Sequence, residues 1–388
     1  MAKGTIEKRY TPLIILLLVA ALVAVLALWA VDKAGTAASV VDAEEGADRS
    51  RETFQWKLVT TWPKNFPGLG TGPEKFARWV DEMSDGRLTV RVYGAGEIVP
   101  AFEVFDAVSQ GVADAGHGAA YYWKGKIPST VFFAAVPFGF NAQEMNAWLH
   151  YGGGMELWRE IYAPFNLVPM AGGNTGVQMA GWFNKEINSA DDLKGLKMRI
   201  PGLAGEAFAA TGGTSVRIPG GELYTSLQTG VIDALEWVGP YNDLAFGFHE
   251  VAKYYYYPGW HEPGPTLEFI VNKQSLEALP ADLQAIVRQA ARAVNQDMLD
   301  EFTARNNAAL RELVDVHGVQ LRRLPDDVLL ALWRGTQQVM QELVEKDPVA
   351  ARVYASFQSF YEGVRAYHHI SEQAYINARD KVLDIPAE

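Results

Sequence analysis

The chain has 388 residues, a net charge of -12 and no cysteine. An acidic balance with no basic run in the body excludes nucleic acid as a partner. The missing thiols exclude disulfides, thiolate catalysis, Cys-type zinc sites and a lipid-modified N-terminal Cys. With 49% apolar and 21% charged residues, the composition is that of a globular protein with a full core.

Lys3, Lys8 and Arg9 precede an uncharged apolar run from Leu13 to Val31. As a helix that run spans roughly 28 Å, close to a bilayer's hydrocarbon core. The basic flank belongs on the cytoplasmic side, so the body is exported. The run is long for a signal-peptide core, although small residues near Ala37 and Ala43 offer a cleavage site. Residues 1–33 therefore read as a retained inner-membrane anchor, with a cleaved signal as the alternative. The small and charged residues 34–53 read as a linker.

The body opens with a strand over Trp56 to Trp62. Thr71-Gly72-Pro73 starts a helix, with proline in its first turn. Phe76, Trp79, Val80 and Met83 form its apolar stripe, and Gly86 ends it. Leu88, Val90 and Val92 then alternate with Thr89, Arg91 and Tyr93, as a strand requires. This strand–helix–strand unit implies a parallel sheet with a right-handed crossover. Further units run from Phe102 to Gly118 and from Asp191 through Arg199 to Trp237.

An internal echo carries more information. The segment Glu103 to Ala115 lies on Glu222 to Ala234 without a gap, matching Gly111 to Gly230, Asp114 to Asp233 and the apolar positions between them. Each copy reads as a helix ended by glycine, then a short strand. Two related lobes follow, expected over 54–170 plus 238–273 and over 171–237 plus 274–325. Both echoed strands run into aromatic loops, Tyr121-Tyr122-Trp123 and Trp237-Val238-Gly239-Pro240-Tyr241-Asn242. Ligands of open α/β sheets sit beyond the carboxyl ends of strands, so lobes facing each other there enclose a closing cleft. The expected fold is thus α/β, two-lobed in the manner of a type II periplasmic binding protein, with C-terminal helices over 326–388. The aromatic stretch from Tyr354 to His369 reads as packing or as a homodimer seam.

At these residues the chain resembles the substrate-binding proteins of tripartite ATP-independent periplasmic (TRAP) transporters, from about Phe54 to Arg379. The carriers are Leu196-Lys-Met-Arg-Ile-Pro-Gly202, Ser226-Leu-Gln-Thr-Gly-Val-Ile-Asp-Ala-Leu-Glu-Trp237 and Val108-Ser-Gln-Gly-Val-Ala-Asp114. Tyr121-Tyr-Trp-Lys-Gly125 and Pro258-Gly-Trp-His-Glu-Pro-Gly264 look like the branch that binds a 2-oxo acid or lactate with a metal ion. The resemblance implies a periplasmic, non-enzymatic binding protein that closes on a small organic acid and delivers it to a membrane permease. It implies that Arg199 pairs with the substrate carboxylate. It also implies that Gln178, the Trp237 main-chain carbonyl and Glu262 hold Na⁺ or Ca²⁺, with Glu236 a further carboxylate.

Read without the resemblance, Arg199 is a strand arginine in a surface ion pair sooner than a ligand anchor, and Arg217 has a similar Arg-Ile-Pro context. The planar guanidinium fork suits a carboxylate in a way lysine does not. Hard oxygen donors suit Na⁺ or Ca²⁺ rather than zinc. Tyr121, Tyr122, Trp182, Tyr241 and Asn242 are candidate cleft walls, and Phe246 and Trp260 weaker ones, with core packing the competing reading. His249, His261 and His317 sit apart in sequence, and no Walker loop, dinucleotide fingerprint, nucleophile elbow or H-E-x-x-H run occurs. An exported metal-dependent hydrolase and an anchored solute sensor are the competing functions.

Overall fold

The computed structural model describes residues 16, 19–31 and 52–383. The chain divides into Met1–Phe54 and Gln55–Glu388. In the first unit, residues 19–31 are helical and exposed. The expected membrane run, 13–31, lies partly outside the described residues. Among the described residues no helix is long and apolar enough to cross a membrane.

In the second unit, alternation and helical periodicity produce two sheets. The first contains β1 (Phe54–Thr60), β2 (Leu88–Tyr93), β3 (Ala115–Gly118), β4 (Leu167–Asn174) and β10 (Thr266–Asn272), in the order β2-β1-β3-β10-β4. The second contains β5 (Gly181–Phe183), β6 (Lys197–Arg199), β7 (Thr214–Val216), β8 (Ala234–Leu235), β9 (Tyr254–Tyr257) and β11 (Gln320–Arg323), in the order β11-β9-β5-β8-β6-β7. Each sheet is mixed. β1 and β3 are parallel, as are β8, β6 and β7, whereas β10 and β5 run antiparallel to their neighbours.

Helix Thr71–Met83 covers the first sheet through Phe76, which stacks on Phe269 at 4.3 Å, and through Val80. Met83, read as the end of its stripe, is 47% exposed, because the buried face shifts toward Gly72 and Pro73. Gly72 lets the two helices approach closely: a Cβ there would lie 2.5 Å from Met298 Cε of helix Ala281–Asp315, whose methyl would have to move aside. That helix spans about 50 Å at 1.5 Å per residue and packs on β4 and on helix Thr71–Met83 before the chain returns as β11.

The internal echo is a true structural repeat. Helices Val104–Ser109 and Leu223–Gln228 each lead to a left-handed glycine, Gly111 (φ 74°) and Gly230 (φ 73°). Asp114 accepts from Lys57 N at 2.8 Å, and Asp233 accepts from Lys197 N at 2.9 Å. In both halves a carboxylate thus ties down the backbone of the neighbouring parallel strand.

Strand membership departs from the expected lobe spans. β4 runs on to Asn174 in the first sheet, and helix Ala281–Asp315 packs on that sheet although 274–325 was grouped with the second lobe. β9, inside the span 238–273 expected in the first lobe, pairs in the second sheet. Cross-strand aromatic pairs hold it there: Trp182 stacks on Tyr255 at 4.1 Å and Phe183 meets Tyr256 at 5.1 Å.

The C-terminal helices bridge the two sheets. Helix Asp326–Lys346 packs on helix Gly202–Ala209, with Gly335 directly over the Ala207 carbonyl. After Asp347, which caps the next helix through Val349 N and Ala350 N, helix Pro348–Ile370 packs on the first-sheet side against Phe132, Phe140 and Trp148. The Tyr354 to Tyr361 aromatics are therefore largely spent inside the molecule, whereas Tyr367 (64%) and His369 are exposed.

One buried group gives the fold a pH signature. Glu268, in the middle of the wholly buried β10, accepts from Trp123 Nε1 and from Tyr162 OH (2.9 Å), with no cation beside it among the described residues. Burial pushes its pKa up to about 8 from 4.5. The folded state therefore binds this proton more tightly, and the stability so gained is lost as pH rises through about 8. Glu268→Gln is expected to become progressively more stable than the wild type between about pH 5 and about pH 9 in urea unfolding; parallel pH curves would refute this.

Candidate functional site

Both sheets bring strand ends to one small, partly open pocket that side chains nearly fill. Trp62 follows β1, and Tyr121 and Tyr122 follow β3. Arg199 ends β6, and Trp237 and Val238 follow β8. Thr175, Gln178 and Glu262 come from the segments that cross between the sheets, and Leu69 and Leu267 complete the wall.

Met198 and Ile200 face the second-sheet core, so Arg199 turns the other way, into the cavity. It is 1% exposed, which rules out the surface ion pair. Its Nη1 donates to Glu236 Oε1 at 2.6 Å and to the Glu236 carbonyl at 2.8 Å, and its Nε to the Ile218 carbonyl at 3.3 Å. The guanidinium also sits 5.1 Å from the centre of the Trp237 ring. Burial opposes its charge, but Glu236 and then the two tyrosines more than offset this and hold its pKa above the ordinary value.

Glu236 reaches a second partner. His261 Nε2 lies 3.2 Å from Glu236 Oε2, within ion-pair distance but misaligned for a hydrogen bond. One ligand-type atom from each of Glu236, His261 and Glu262 lies within 4.8 Å of the others. Burial, then the neighbouring Glu236, raises the Glu262 pKa well above the usual carboxylate range, partly countered by a hydrogen bond from Tyr121 and by Arg199. Gln178 Nε2 donates to Glu262 Oε2 at 2.8 Å and to Thr175 Oγ1 at 3.2 Å. Its buried Oε1 has no hydrogen-bond partner among the described residues. An orphaned amide oxygen beside a carboxyl short of positive charge is a donor set suited to a hard cation.

The sequence-derived candidates divide. Arg199, Gln178, Tyr121, Tyr122, Trp237 and Glu262 meet at the cavity, with Glu236 immediately behind Arg199. Tyr241 and Asn242 do not line it. The Tyr241 hydroxyl donates to Glu301 at 3.0 Å, and Asn242 Nδ2 donates to the Pro67 carbonyl at 2.8 Å, because helix Pro240–Phe246 turns both side chains away. Trp182 donates to Asp243, Phe246 packs on Phe66, and Trp260 belongs to the second-sheet core. Arg217 joins the two halves, donating to the Tyr122 carbonyl at 2.9 Å over the Phe102 ring. His261, read as a separate loop histidine, is in fact buried beside Glu236. Trp62, Leu69, Thr175, Val238 and Leu267 carried no sequence signal that set them apart.

Two α/β halves that bury an arginine, a glutamate and an unpaired amide oxygen around one small pocket have the build of a small-solute binding protein. The chain belongs to the bacterial extracellular solute-binding proteins, family 7 (DctP), whose profile matches residues 58–347. It is a solute-binding protein of the TRAP type, not an enzyme. It is 42% identical over 323 residues to a monocarboxylate 2-oxoacid-binding periplasmic protein of Nostoc sp., covering 83% of this chain and 88% of that one. A TRAP solute-binding protein of Colwellia psychrerythraea, solved with calcium and pyruvate, superposes with a TM-score of 0.82 at 45% identity, covering 84% of this chain and all (100%) of that one. One from Pseudoalteromonas atlantica, solved with sodium and pyruvate, gives 0.82 at 46%, covering 84% and 99%. A third, from Bordetella bronchiseptica with calcium and picolinate, gives 0.84 at 37%, covering 86% and 99%.

The buried pair has a direct stability consequence. Glu236→Gln leaves the Arg199 charge uncompensated and is expected to cost about 3–5 kcal/mol, read by denaturant unfolding of the ligand-free protein. Replacing both partners, as Arg199→Met with Glu236→Met, is expected to recover most of that loss. A double variant equal to the sum of its single changes would show that the two do not act as a pair.

Proposed function

We propose that the protein captures a short 2-oxo acid of the pyruvate class together with Ca²⁺ or Na⁺ and presents it to a TRAP permease. The observation that carries this reading is the set of groups lining one pocket: Arg199, and the orphaned Gln178 Oε1 beside Glu262. Calcium or sodium with pyruvate in the two similar solved proteins supports it. In this reading Arg199 offers its remaining N–H groups to the acid's carboxylate, while the Tyr121 and Tyr122 hydroxyls bond its other oxygens. Gln178, the Trp237 carbonyl and Glu262 hold the cation, which supplies positive charge to both Glu262 and the acid. We take the lobes as the two sheets with their helices. Arg217 to the Tyr122 carbonyl, and Phe66 on Phe246 at 4.2 Å, then act as closure contacts.

Cation and acid strengthen each other by linkage. Calorimetry of pyruvate with and without Ca²⁺ or Na⁺ is expected to show acid binding weakened at least tenfold by removing the cation. Glu262→Gln should weaken both ligands, and Arg199→Lys mainly the acid. Unchanged pyruvate affinity in cation-free protein would remove the cation from the reading.

The basic flank and the uncharged run from Leu13 to Val31 support a body held at the inner membrane by its N-terminal segment. Full-length protein is expected to stay with membranes through a salt wash, and a chain starting at Phe54 to be released. Mature protein beginning near Ala38 or Glu44 would replace the anchor with a cleaved signal.

A further inference from the structure

The pocket lining offers charge and hydrogen-bonding capacity on Arg199, Gln178, Glu262, Thr175 and the two tyrosines. Its apolar side chains are Trp62, Leu69, Val238 and Leu267, with the Trp237 ring over Arg199. An acid whose carboxylate and keto oxygen take the polar partners leaves its carbon chain to the apolar side chains. Trp62 is the bulkiest of those four, and its single polar atom is spent elsewhere. The indole N–H donates at 2.8 Å to Nδ1 of His117, which does not line the cavity. The other His117 nitrogen lies 3.0 Å from the Gly172 carbonyl. That contact fixes the tautomer with hydrogen on Nε2 and leaves Nδ1 as acceptor. Burial pushes the His117 pKa down to about 4, so the acceptor persists at neutral pH.

The clamp continues on both sides. His117 packs on Phe269 at 4.5 Å, while Trp62 meets the Trp237 ring edge-on at 6.0 Å and the Tyr122 ring at 6.0 Å. The indole is thus fixed by a hydrogen bond behind it and by rings beside it, in an interior that does not yield cheaply to extra methylenes.

We infer that Trp62, positioned by His117, sets the upper size of the acid, admitting a chain of one or two carbons and rejecting longer, branched 2-oxo acids. The inference rests on the 2-oxo acid reading above. Each methylene in an apolar pocket shifts discrimination by about 10-fold or more, so loss of the indole should be plain in a ratio of affinities.

The test measures pyruvate and 2-oxo-4-methylpentanoate by calorimetry, with Ca²⁺ present, on the full chain. Wild type is expected to favour pyruvate by at least about tenfold, and Trp62→Leu to move the ratio at least about tenfold toward the longer acid. His117→Leu, which frees the indole, should move the ratio in the same direction; His117→Gln, which keeps an acceptor, should move it less. A merely structural defect would weaken both acids alike and leave the ratio unchanged. An unchanged ratio in Trp62→Leu overturns the inference, as does a wild type that binds both acids equally. A wild type that binds neither acid overturns the 2-oxo acid reading and the inference with it.

Discussion

The site depends on one buried ion pair. Arg199 and Glu236 lie on the ends of neighbouring parallel strands of the second sheet, and both are removed from solvent. Desolvating two charges is expensive, and the cost is recovered only where geometry is close and the remaining donors are satisfied. Here one guanidinium nitrogen bonds both the carboxylate and the carbonyl of Glu236, and another bonds the Ile218 carbonyl. Arg199 is thereby held rigid before any solute arrives, so little ordering is left to be done on binding. The same pairing neutralises it. An acid entering beside Glu262 meets a site without net positive charge, which is why a cation belongs in the reading rather than arginine alone.

Around that pair the molecule repeats itself. Asp114 and Asp233 do the same work in the two halves, each fixing a parallel strand whose carboxyl end supplies the cavity. Crossing segments between the sheets then add Gln178 and Glu262. Regular elements thus supply the anion's partner and the walls, and connections supply the oxygen donors. The two sets meet at the pocket.

Much of this was legible in the sequence, for identifiable reasons. Period-two alternation put Arg199 opposite Met198 and Ile200, and the structure keeps that division. The repeat was visible because glycine and aspartate at its turns have a backbone task that few other residues perform. The resemblance brought Gln178, Trp237, Glu262 and Glu236 to the cavity region. Tyr241 and Asn242 were misplaced because a loop motif does not reveal which way its following helix turns. That β9 pairs in the second sheet was not visible, because the choice of sheet rests on Trp182 stacking on Tyr255 and Phe183 meeting Tyr256 edge-on, pairs some seventy residues apart. His261 was read only as one of three scattered histidines and Trp62 only as the end of a strand, because their contacts with Glu236 and His117 are recorded by no spacing.

The last two long helices rest on opposite halves, one over Gly202–Ala209 and the next over Phe132 and Phe140, joined at the Asp347 cap. Any separation of the halves must bend this joint or strip one helix from its bed. The resting balance between an open and a shut receptor is therefore set partly by packing remote from the solute. Affinity is the product of the contacts in the shut form and the fraction of receptor already shut. A lineage could retune how readily such a receptor lets go of its cargo by altering side chains under these helices, without changing a single atom that the cargo touches.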